Sequence, residues 1–339
     1  MTTIKDIARE SGFSVSTVSR VLAGHPDVSA DTAAAVQAVI DKRHFVVNRN
    51  ARNLKGTGKS AILVVIKGRD NMLFASMVQH VQKAIQATGY SVATHYIDED
   101  DNEIADAERL IGETKPAGVI FLGGDANHVA ARAHLVGAEC PAVVLTNTVA
   151  SAGKIGISSV TTNDTAAAKL AVDYLLDRGH KRLGIIGGSP DNSMISKLRL
   201  EGAIEAMAGH GIDFDTETQF VATRFSLKSG YEAAKKLLDK AGDITAIYVM
   251  SDIMALGVRR ALYERGLDVP GDISLIGHDG IEMASYVVPK LVTIRQPQEW
   301  MATRGTAILM HHLRGDLTPV EEFGDVSIIF GESVRSLAA

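Results

Sequence analysis

Residues 3–22 read Thr-Ile-Lys-Asp-Ile-Ala-Arg-Glu-Ser-Gly-Phe-Ser-Val-Ser-Thr-Val-Ser-Arg-Val-Leu, and the rest of the chain is best understood from this segment. Ile4 and Ile7 recur at helical spacing, which predicts a short first helix. Gly12 suits the left-handed residue that ends a helix, and Ser14 can cap a second one. Two short helices joined by a glycine-containing turn predict a helix-turn-helix motif.

The second helix has an apolar face and a polar face. Val18, Val21 and Leu22 share the inner face. The outer face offers the hydroxyls and the guanidinium of Ser16, Thr17, Ser19 and Arg20. A guanidinium can pair with both acceptors of a guanine, and hydroxyls suit phosphate oxygens or base edges. The outer face therefore predicts contacts with the major groove of double-stranded DNA.

A third helix is predicted from Ser29, with an apolar stripe that comprises Ala33, Val36, Val39 and Ile40. Phe45 is expected to complete the small core. The segment 48–54 that follows is short and basic, so we expect it to be helical only on DNA. Leu54 would then be an apolar wedge in the minor groove, with Arg52 and Lys55 neutralising phosphates.

Composition divides the chain into a basic head and an acidic body. The net charge of the 339 residues is −5. The first 60 residues hold nine Lys and Arg against five acids, so they carry +4 and the remainder carries −9. A hydrophobic content of 46 % allows a large core. Such an asymmetry suits a nucleic-acid-binding head on an acidic domain.

Targeting and redox signals are few. Cys140 is the only cysteine, which excludes an internal disulfide and a cysteine-based metal site. No apolar run is as long as a membrane span, and the N-terminus has no signal-peptide pattern. We therefore expect a cytoplasmic protein without a membrane partner.

From residue 61 the pattern changes to alternating strands and helices. Residues 61–66 form a continuous apolar run, which is typical of a buried parallel strand. Strands are predicted at 61–66, 91–96, 118–122, 142–146, 183–186, 220–222, 246–250, 274–276 and 326–330. Helices are predicted at 74–88, 103–113, 128–136, 164–177, 194–210, 230–240 and 253–265. A late run at 291–297 is followed by a further helix. This order indicates βαβ units and parallel sheets. Similar segments at 116–125 and 244–252 favour two α/β lobes.

Three motifs carry a family resemblance: Thr-Ile-Lys-Asp-Ile-Ala at 3–8, Val-Ser-Thr-Val-Ser-Arg-Val-Leu at 15–22, and Asn-x-x-Ala-Arg-x-Leu at 48–54. In order and register they resemble the lactose-repressor (LacI/GalR) family of bacterial transcription regulators. Two positions depart from the family pattern: Ala23 replaces the usual Asn, and Val47 the usual Pro. The resemblance implies a DNA-contacting set of Val15, Ser16, Thr17, Ser19, Arg20, Asn48, Ala51, Arg52, Leu54 and Lys55.

The resemblance also implies a fold. It predicts an α/β protein with a small all-α helix-turn-helix head at 1–47, a hinge and linker at 48–60, and a periplasmic-binding-protein-like body at 61–339. The body would contain two doubly wound lobes. The expected boundaries are about 61–161 and 292–324 for the first lobe, and about 162–291 and 325–339 for the second.

Doubly wound lobes bind ligands at the carboxyl ends of their strands. By resemblance, the effector-binding residues are Phe74, Asn163, Arg199, Phe225, Ser251, Asp279 and Gln298. Purely structural roles remain open for three of them. Arg199 could form a surface ion pair with Glu201 or Glu205, Asp279 could cap a turn, and Phe74 could be a core residue.

The sequence therefore predicts a DNA-binding transcriptional regulator that acts as a repressor. We expect a homodimer that binds a palindromic operator and responds to a small-molecule effector, such as a sugar or sugar derivative. Control by a phosphorylated protein partner, or by a nucleoside or purine corepressor, stays open. A secreted solute-binding protein and a nucleotide-dependent enzyme are disfavoured. The glycines of 184–188 lack the full nucleotide-loop spacing, and His311-His312 lacks a third metal ligand. We expect no catalytic residues, no metal and no cofactor.

Overall fold

The computed structural model describes residues 4–22, 25, 27–43, 61–124, 140–148 and 157–337. The chain divides into two compact units, Met1–Lys59 and Ser60–Ala339. Within the described ranges, no helix is both long and apolar enough to span a membrane.

The first unit contains helices α1 (Ile4–Ser11), α2 (Val15–Leu22) and α3 (Ala30–Lys42). The Ser14 hydroxyl accepts the backbone N–H of Thr17 at 3.1 Å and so caps α2. Ser29 caps α3 through the Thr32 N–H at 3.3 Å. Gly12 has φ +76°, which is a conformation that glycine adopts without a steric cost. The predicted helix-turn-helix is confirmed.

A small core holds these helices together. Its buried side chains come from all three helices: Ile7, Ala8, Val18, Val36 and Ile40. Lys42 and Arg43 at the end of α3 both form ion pairs with Glu10 of α1, at 3.0 and 2.6 Å. These exposed pairs contribute little individually, so apolar burial is the main stabilisation of this unit.

Two six-stranded sheets build the second unit. The first sheet contains β1 (Ile62–Lys67), β2 (Val92–Ile97), β3 (Gly118–Leu122), β4 (Ala142–Leu145), β5 (Ile157–Thr162) and β11 (Glu321–Gly324). The second contains β6 (Leu183–Gly187), β7 (Phe220–Ala222), β8 (Ala246–Val249), β9 (Ser274–Asp279), β10 (Val292–Arg295) and β12 (Ser327–Ile329).

Helices cover the sheets. They are α4 (Met72–Gln86), α5 (Glu103–Thr114), α6 (Asp164–Leu176), α7 (Met194–Gly209), α8 (Thr216–Gln219), α9 (Leu227–Lys240), α10 (Asp252–Glu264) and α11 (Gln298–His312), with a 3₁₀ turn at Glu282–Ser285. The strands β1 and β3 are buried at nearly every position, as expected for parallel strands covered on both faces.

The strand order is β11-β5-β4-β3-β1-β2 in the first sheet and β12-β10-β9-β8-β6-β7 in the second. All neighbours pair in parallel, except that β12 runs antiparallel to β10. The two predicted α/β lobes are thus present, and each has the alternating order of a doubly wound fold. The chain passes between the lobes after β5, after β10 and between β11 and β12.

One predicted lobe boundary is wrong. The sequence interpretation assigns residues 292–324 to the first lobe. The structure places β10 in the second sheet, where Val292 aligns with Ile276 of β9. The chain returns to the first lobe only with α11, where Gly305 approaches Leu145 of β4. An apolar strand sequence fits either sheet, so the pattern alone does not assign it to one.

Two strands and one short helix were not predicted. β5 has the sequence Ile-Ser-Ser-Val-Thr-Thr, and its polar residues are buried. β11 is a partly exposed edge strand that contains two glutamates, and α8 has only four residues. Several predictions lie outside the described residues: Phe45, the hinge and linker at 48–60 and the helix at 128–136.

Candidate functional site

A cavity of about 510 Å³ lies between the two sheets of the second unit. The first lobe contributes residues that end or follow β1, β2, β3 and β4, which include Lys67, Asn71, Phe74, Glu99, Asp100, Gly123, Thr146 and Asn147. The second lobe contributes residues that end or follow β6, β7, β9 and β10, which include Gly188, Asn192, Arg199, Arg224, Phe225, Asp279 and Gln296. The cavity therefore occupies the position where doubly wound sheets bind ligands.

Each lobe places one aromatic ring against a glycine at the end of a central strand. The ring of Phe74 lies over Gly123, where an added Cβ would come within 2.9 Å of it. The ring of Phe225 lies over Gly188 in the same way, at 2.6 Å. The two glycines leave room for the rings, which form the largest apolar faces of the lining.

Arg199 is buried, with only 4 % of its surface exposed. Its Nε donates to Asp164 Oδ1 at 2.7 Å, and Nη1 donates to the carbonyl of Met250 at 2.6 Å. Burial lowers the pKa of Arg199, but the carboxylates of Asp164 and Asp279 outweigh it and raise the pKa overall. For Asp164, burial raises the pKa despite the opposing effect of Arg199. The guanidinium joins the start of α6 to the end of β8.

Asp279 ends β9 beside the cavity. Its Oδ2 accepts from the Ser251 hydroxyl at 2.8 Å, and its Oδ1 accepts from Gln296 Nε2 at 2.8 Å. Oδ1 is also 4.0 Å from Arg199 Nη1. Burial raises the pKa of Asp279 to about 6, although Arg199 and these hydrogen bonds oppose the shift. The backbone has φ +117°, which is uncommon for a residue with a side chain and is often found at functional sites.

Polar contacts also fix the part of the cavity lining that the first lobe contributes. Lys67 Nζ lies 2.7 Å from Oε2 of the fully buried Glu103. Asn147 donates from Nδ2 to the carbonyl of Gly124 at 2.7 Å. Thr146 has φ +74°, a strained value for a β-branched residue. Its buried hydroxyl has no partner within the described part of the chain.

Four of the seven predicted effector residues line the cavity: Phe74, Arg199, Phe225 and Asp279. The other three do not. Asn163 is exposed and caps α6 by accepting the Ala166 N–H at 2.9 Å. Ser251 lies behind Asp279, to which it donates. Gln298 begins α11 and donates to the Asp279 carbonyl at 3.1 Å. Ser251 and Gln298 thus contact the lining residue Asp279, and Asn163 caps the helix that begins with Asp164, the partner of Arg199.

Sequence reasoning missed several participants. Asp164, the residue after Asn163, is the partner of Arg199, and its carboxylate directly beside the predicted Asn163 was the available signal. Gln296 was overlooked in favour of Gln298, although it contacts the Asp279 carboxylate. Arg199 is not a surface residue, so the alternative of an ion pair with Glu201 or Glu205 is wrong. Phe74 packs in the core and lines the cavity at once.

The second candidate surface is α2 of the first unit. Val15, Ser16 and Arg20 are exposed, and Thr17 and Ser19 are half-buried. The Ser14 hydroxyl lies 2.7 Å from that of Ser16 and 2.8 Å from that of Thr17. Val15, Ser16 and Arg20 therefore lie on the exposed surface of α2, with Thr17 and Ser19 partly covered beside them. Asn48, Ala51, Arg52, Leu54 and Lys55 lie outside the described residues.

A helix-turn-helix unit and a two-lobed ligand cleft together define an effector-controlled DNA-binding regulator. Comparison with known proteins agrees. Residues 3–48 match the family described as bacterial regulatory proteins, lacI family. Residues 172–334 match a periplasmic binding protein-like domain.

Full-length relatives extend the match. The chain is 37 % identical to the HTH-type transcriptional regulator MalR of Clostridium butyricum, over 92 % of this chain and 93 % of that protein. It is 30 % identical to the ribose operon repressor of Escherichia coli (strain K12), over 94 % and 98 %. The structure of the lac repressor dimer bound to operator and the anti-inducer ONPF matches with a TM-score of 0.78 and 25 % identity, over 99 % of both chains.

The chain thus belongs to the lacI family of bacterial transcription regulators. It is a transcription regulator with a helix-turn-helix DNA-binding domain and an effector cleft, and it is not an enzyme.

Proposed function

We propose that this chain is a homodimeric repressor of a pseudo-palindromic operator, and that an uncharged sugar or sugar derivative in the cleft controls it. The observation that carries the proposal is the lining of the cavity, which combines two aromatic faces with many hydrogen-bonding side chains. Sugars present both an apolar face of C–H groups and a rim of hydroxyls. A volume of about 510 Å³ is within the range of small-molecule sites.

The charges of the lining favour an uncharged ligand. Each of the three cations that the described residues contribute already has a carboxylate partner. Lys67 pairs with Glu103, and Arg199 pairs with Asp164. Arg224 pairs with a cluster of acidic residues. A phosphorylated ligand would have to break one of these pairs, because a buried anion needs a cation of its own.

The proposed ligand contacts follow from the positions of the lining residues. The rings of Phe74 and Phe225 offer stacking surfaces. Asp279 offers carboxylate oxygens to hydroxyl donors, since charge-assisted hydrogen bonds are strong. The unpartnered hydroxyl of Thr146 supplies a further group, because a buried polar atom without a partner is costly unless a ligand satisfies it. The name of the ribose operon repressor supports the sugar class.

The proposed operator contacts are the exposed face of α2 and the hinge. Val15, Ser16 and Arg20 would face base edges in the major groove, with Thr17 and Ser19 beside them. Asn48, Ala51, Arg52, Leu54 and Lys55 would contact the minor groove and its phosphates. One such head reads half of a site, so two heads related by a two-fold axis would read a palindrome.

A ligand panel with thermal unfolding tests the effector class. Ribose, maltose and cellobiose represent neutral sugars, while glucose 6-phosphate and adenosine represent the alternatives. A cleft ligand at a hundred times its Kd adds about 2.7 kcal/mol to the free energy of unfolding. Phe225→Leu should abolish the shift, and Tyr263→Ala, at a residue 74 % exposed and outside the lining, should keep it. A shift with only the phosphate or the nucleoside would contradict the proposal.

A further inference from the structure

Arg224 contacts three consecutive acidic residues of the opposite lobe. It follows β7 in the second lobe, whereas Asp98, Glu99 and Asp100 follow β2 in the first. Nη1 lies 2.9 Å from Asp100 Oδ2, Nε lies 3.4 Å from Glu99 Oε2, and Nη2 pairs with Asp98 Oδ1. One guanidinium thus holds a whole acidic turn across the cleft.

A backbone contact reinforces this cluster. The N–H of Phe225 donates to Glu99 Oε1 at 3.1 Å, so the residue beside Arg224 also reaches the first lobe. Glu99 is mostly buried by this arrangement, and its burial raises the pKa of the carboxyl against the opposing effect of Arg224. Both the guanidinium and the amide would lose their partners if the lobes moved apart.

The cluster lies at the edge of the two sheets that is far from the connections between the lobes. β2 and β7 are the last strands at one edge of their sheets. At the opposite edges lie β11 and β12, between which the chain passes from one lobe to the other. Contacts far from the connections separate most when two lobes hinge open. The cluster therefore lies where lobe opening is felt most strongly.

We propose that Arg224 and the acidic turn 98–100 form a releasable latch that holds the two lobes closed at the mouth of the cavity. The latch would set the ratio of open to closed forms and, with it, the access of an effector to the site. The consequence for the effector rests on the proposed function, whereas the latch itself does not.

The strength of the contacts suits a latch that must open. Arg224, Asp98 and Asp100 have side chains that are 47 %, 54 % and 80 % exposed. Exposed pairs of this kind are weak and screened by salt. Losing the latch should therefore change the open-to-closed ratio by no more than about fivefold. Stronger contacts would keep the lobes closed, so that an effector could neither enter nor leave the cavity.

The test uses the full chain without any effector. Arg224→Gln removes the charge, and Arg182→Gln is the matched control. Arg182 forms an exposed pair with Asp243 at 2.7 Å, and both residues lie in the second lobe. Hydrogen exchange at the Phe225 amide and the radius of gyration from X-ray scattering report lobe opening. We expect up to about fivefold faster exchange and a larger radius for Arg224→Gln, with no change for Arg182→Gln.

A charge exchange separates the latch from a loss of local structure. Arg224→Glu combined with Asp98→Arg should restore slow exchange at Phe225, whereas Arg224→Glu alone should not. Raising NaCl from about 0.05 to 0.5 M should open the wild-type chain and leave Arg224→Gln unaffected. Equal exchange and equal radii for wild type and Arg224→Gln would overturn the latch. That result would leave the proposed effector class untouched, because no ligand enters these measurements.

Discussion

Arg199 donates from Nε to Asp164 Oδ1 at 2.7 Å, and both side chains are only 5 % exposed. This pair joins the middle of α7 to the first residue of α6 beneath the cavity. In a buried ion pair each charge compensates the other, because either charge alone would be costly to bury. The pair thus fixes the guanidinium next to Asp279.

We expect Asp164→Ala to be strongly destabilising, because it removes the only carboxylate within hydrogen-bond distance of the buried Arg199 guanidinium among the described residues. The loss should be about 3–5 kcal/mol in the free energy of unfolding, measured with urea. Glu201→Ala is the control on the same helix as Arg199, since Glu201 is exposed and lies 4.0 Å from Lys197. It should stay within about 0.5 kcal/mol of wild type. Equal losses for the two variants would show that the buried pair is not stabilising.

Asp279 gives a pH prediction with a defined sign. Burial raises its pKa to about 6, against about 3.9 in an unfolded chain. Between these values the folded chain holds a proton that the unfolded chain has lost, so this group makes stability fall as pH rises from about 4 to 6. Asp279→Asn removes this dependence. The variant should therefore gain on wild type by about 2–3 kcal/mol across that window and no further above it.

Urea unfolding at several pH values between 4 and 7 measures this difference. Asp243→Asn is the control: the hydrogen bond from Arg182 lowers the pKa of Asp243, so its contribution to stability changes mainly below about pH 4 and its gap to wild type should stay nearly constant in this range. A gap between Asp279→Asn and wild type that is the same at every pH would contradict a raised pKa for Asp279.

The packing of the Phe74 ring against Gly123 gives a third prediction. Gly123→Ala would place a Cβ 2.9 Å from the ring and 3.0 Å from the Lys67 carbonyl, at a residue with φ +73°. We expect a loss of about 1–3 kcal/mol in stability, together with weaker effector binding. Gly112→Ala meets nothing within 4 Å and lies in α5. It should be neutral or stabilising by up to about 1 kcal/mol. Unchanged stability in Gly123→Ala would show that the Phe74 ring does not pack against this position.

The helix-turn-helix unit allows stability and DNA binding to be separated within one helix. Val18 is fully buried, so Val18→Ala should destabilise the first unit by about 2 kcal/mol. Arg20 is exposed, so Arg20→Ala should leave stability unchanged and cost about 1–3 kcal/mol of operator affinity. Circular dichroism during unfolding and fluorescence anisotropy with labelled duplex measure the two effects. Unchanged operator affinity for Arg20→Ala would remove it from the interface.

Much of the fold could be predicted because its signals are local. The apolar runs at β1 and β3 and the caps at Ser14 and Ser29 depend on residues that are close in sequence. β5 was missed because its polar residues find distant partners. Ser158, for example, lies 2.8 Å from His312 Nε2 and accepts the Val320 N–H at 2.9 Å. A strand of buried hydroxyls has no apolar pattern that reveals it.

The candidate site could be predicted only in part for the same reason. Arg199 and Asp279 were found by resemblance, but their partners are set by packing. Gln296 and Gln298 are two residues apart in sequence, and only the path of the chain after β10 decides which one contacts the Asp279 carboxylate. The contact of Arg224 with residues 98–100 spans more than 120 positions, so no local pattern indicates it.

The central claim is that a DNA-reading head is controlled by a ligand in the cleft. The most direct test is to select bound duplexes from a random pool with the full chain, and then to measure its affinity for the selected sequence with and without the neutral sugars. We expect an inverted repeat that binds tightly at low salt, and an affinity that changes with one of the sugars. Failure to bind any duplex at low salt, in every ligand state, would contradict the account.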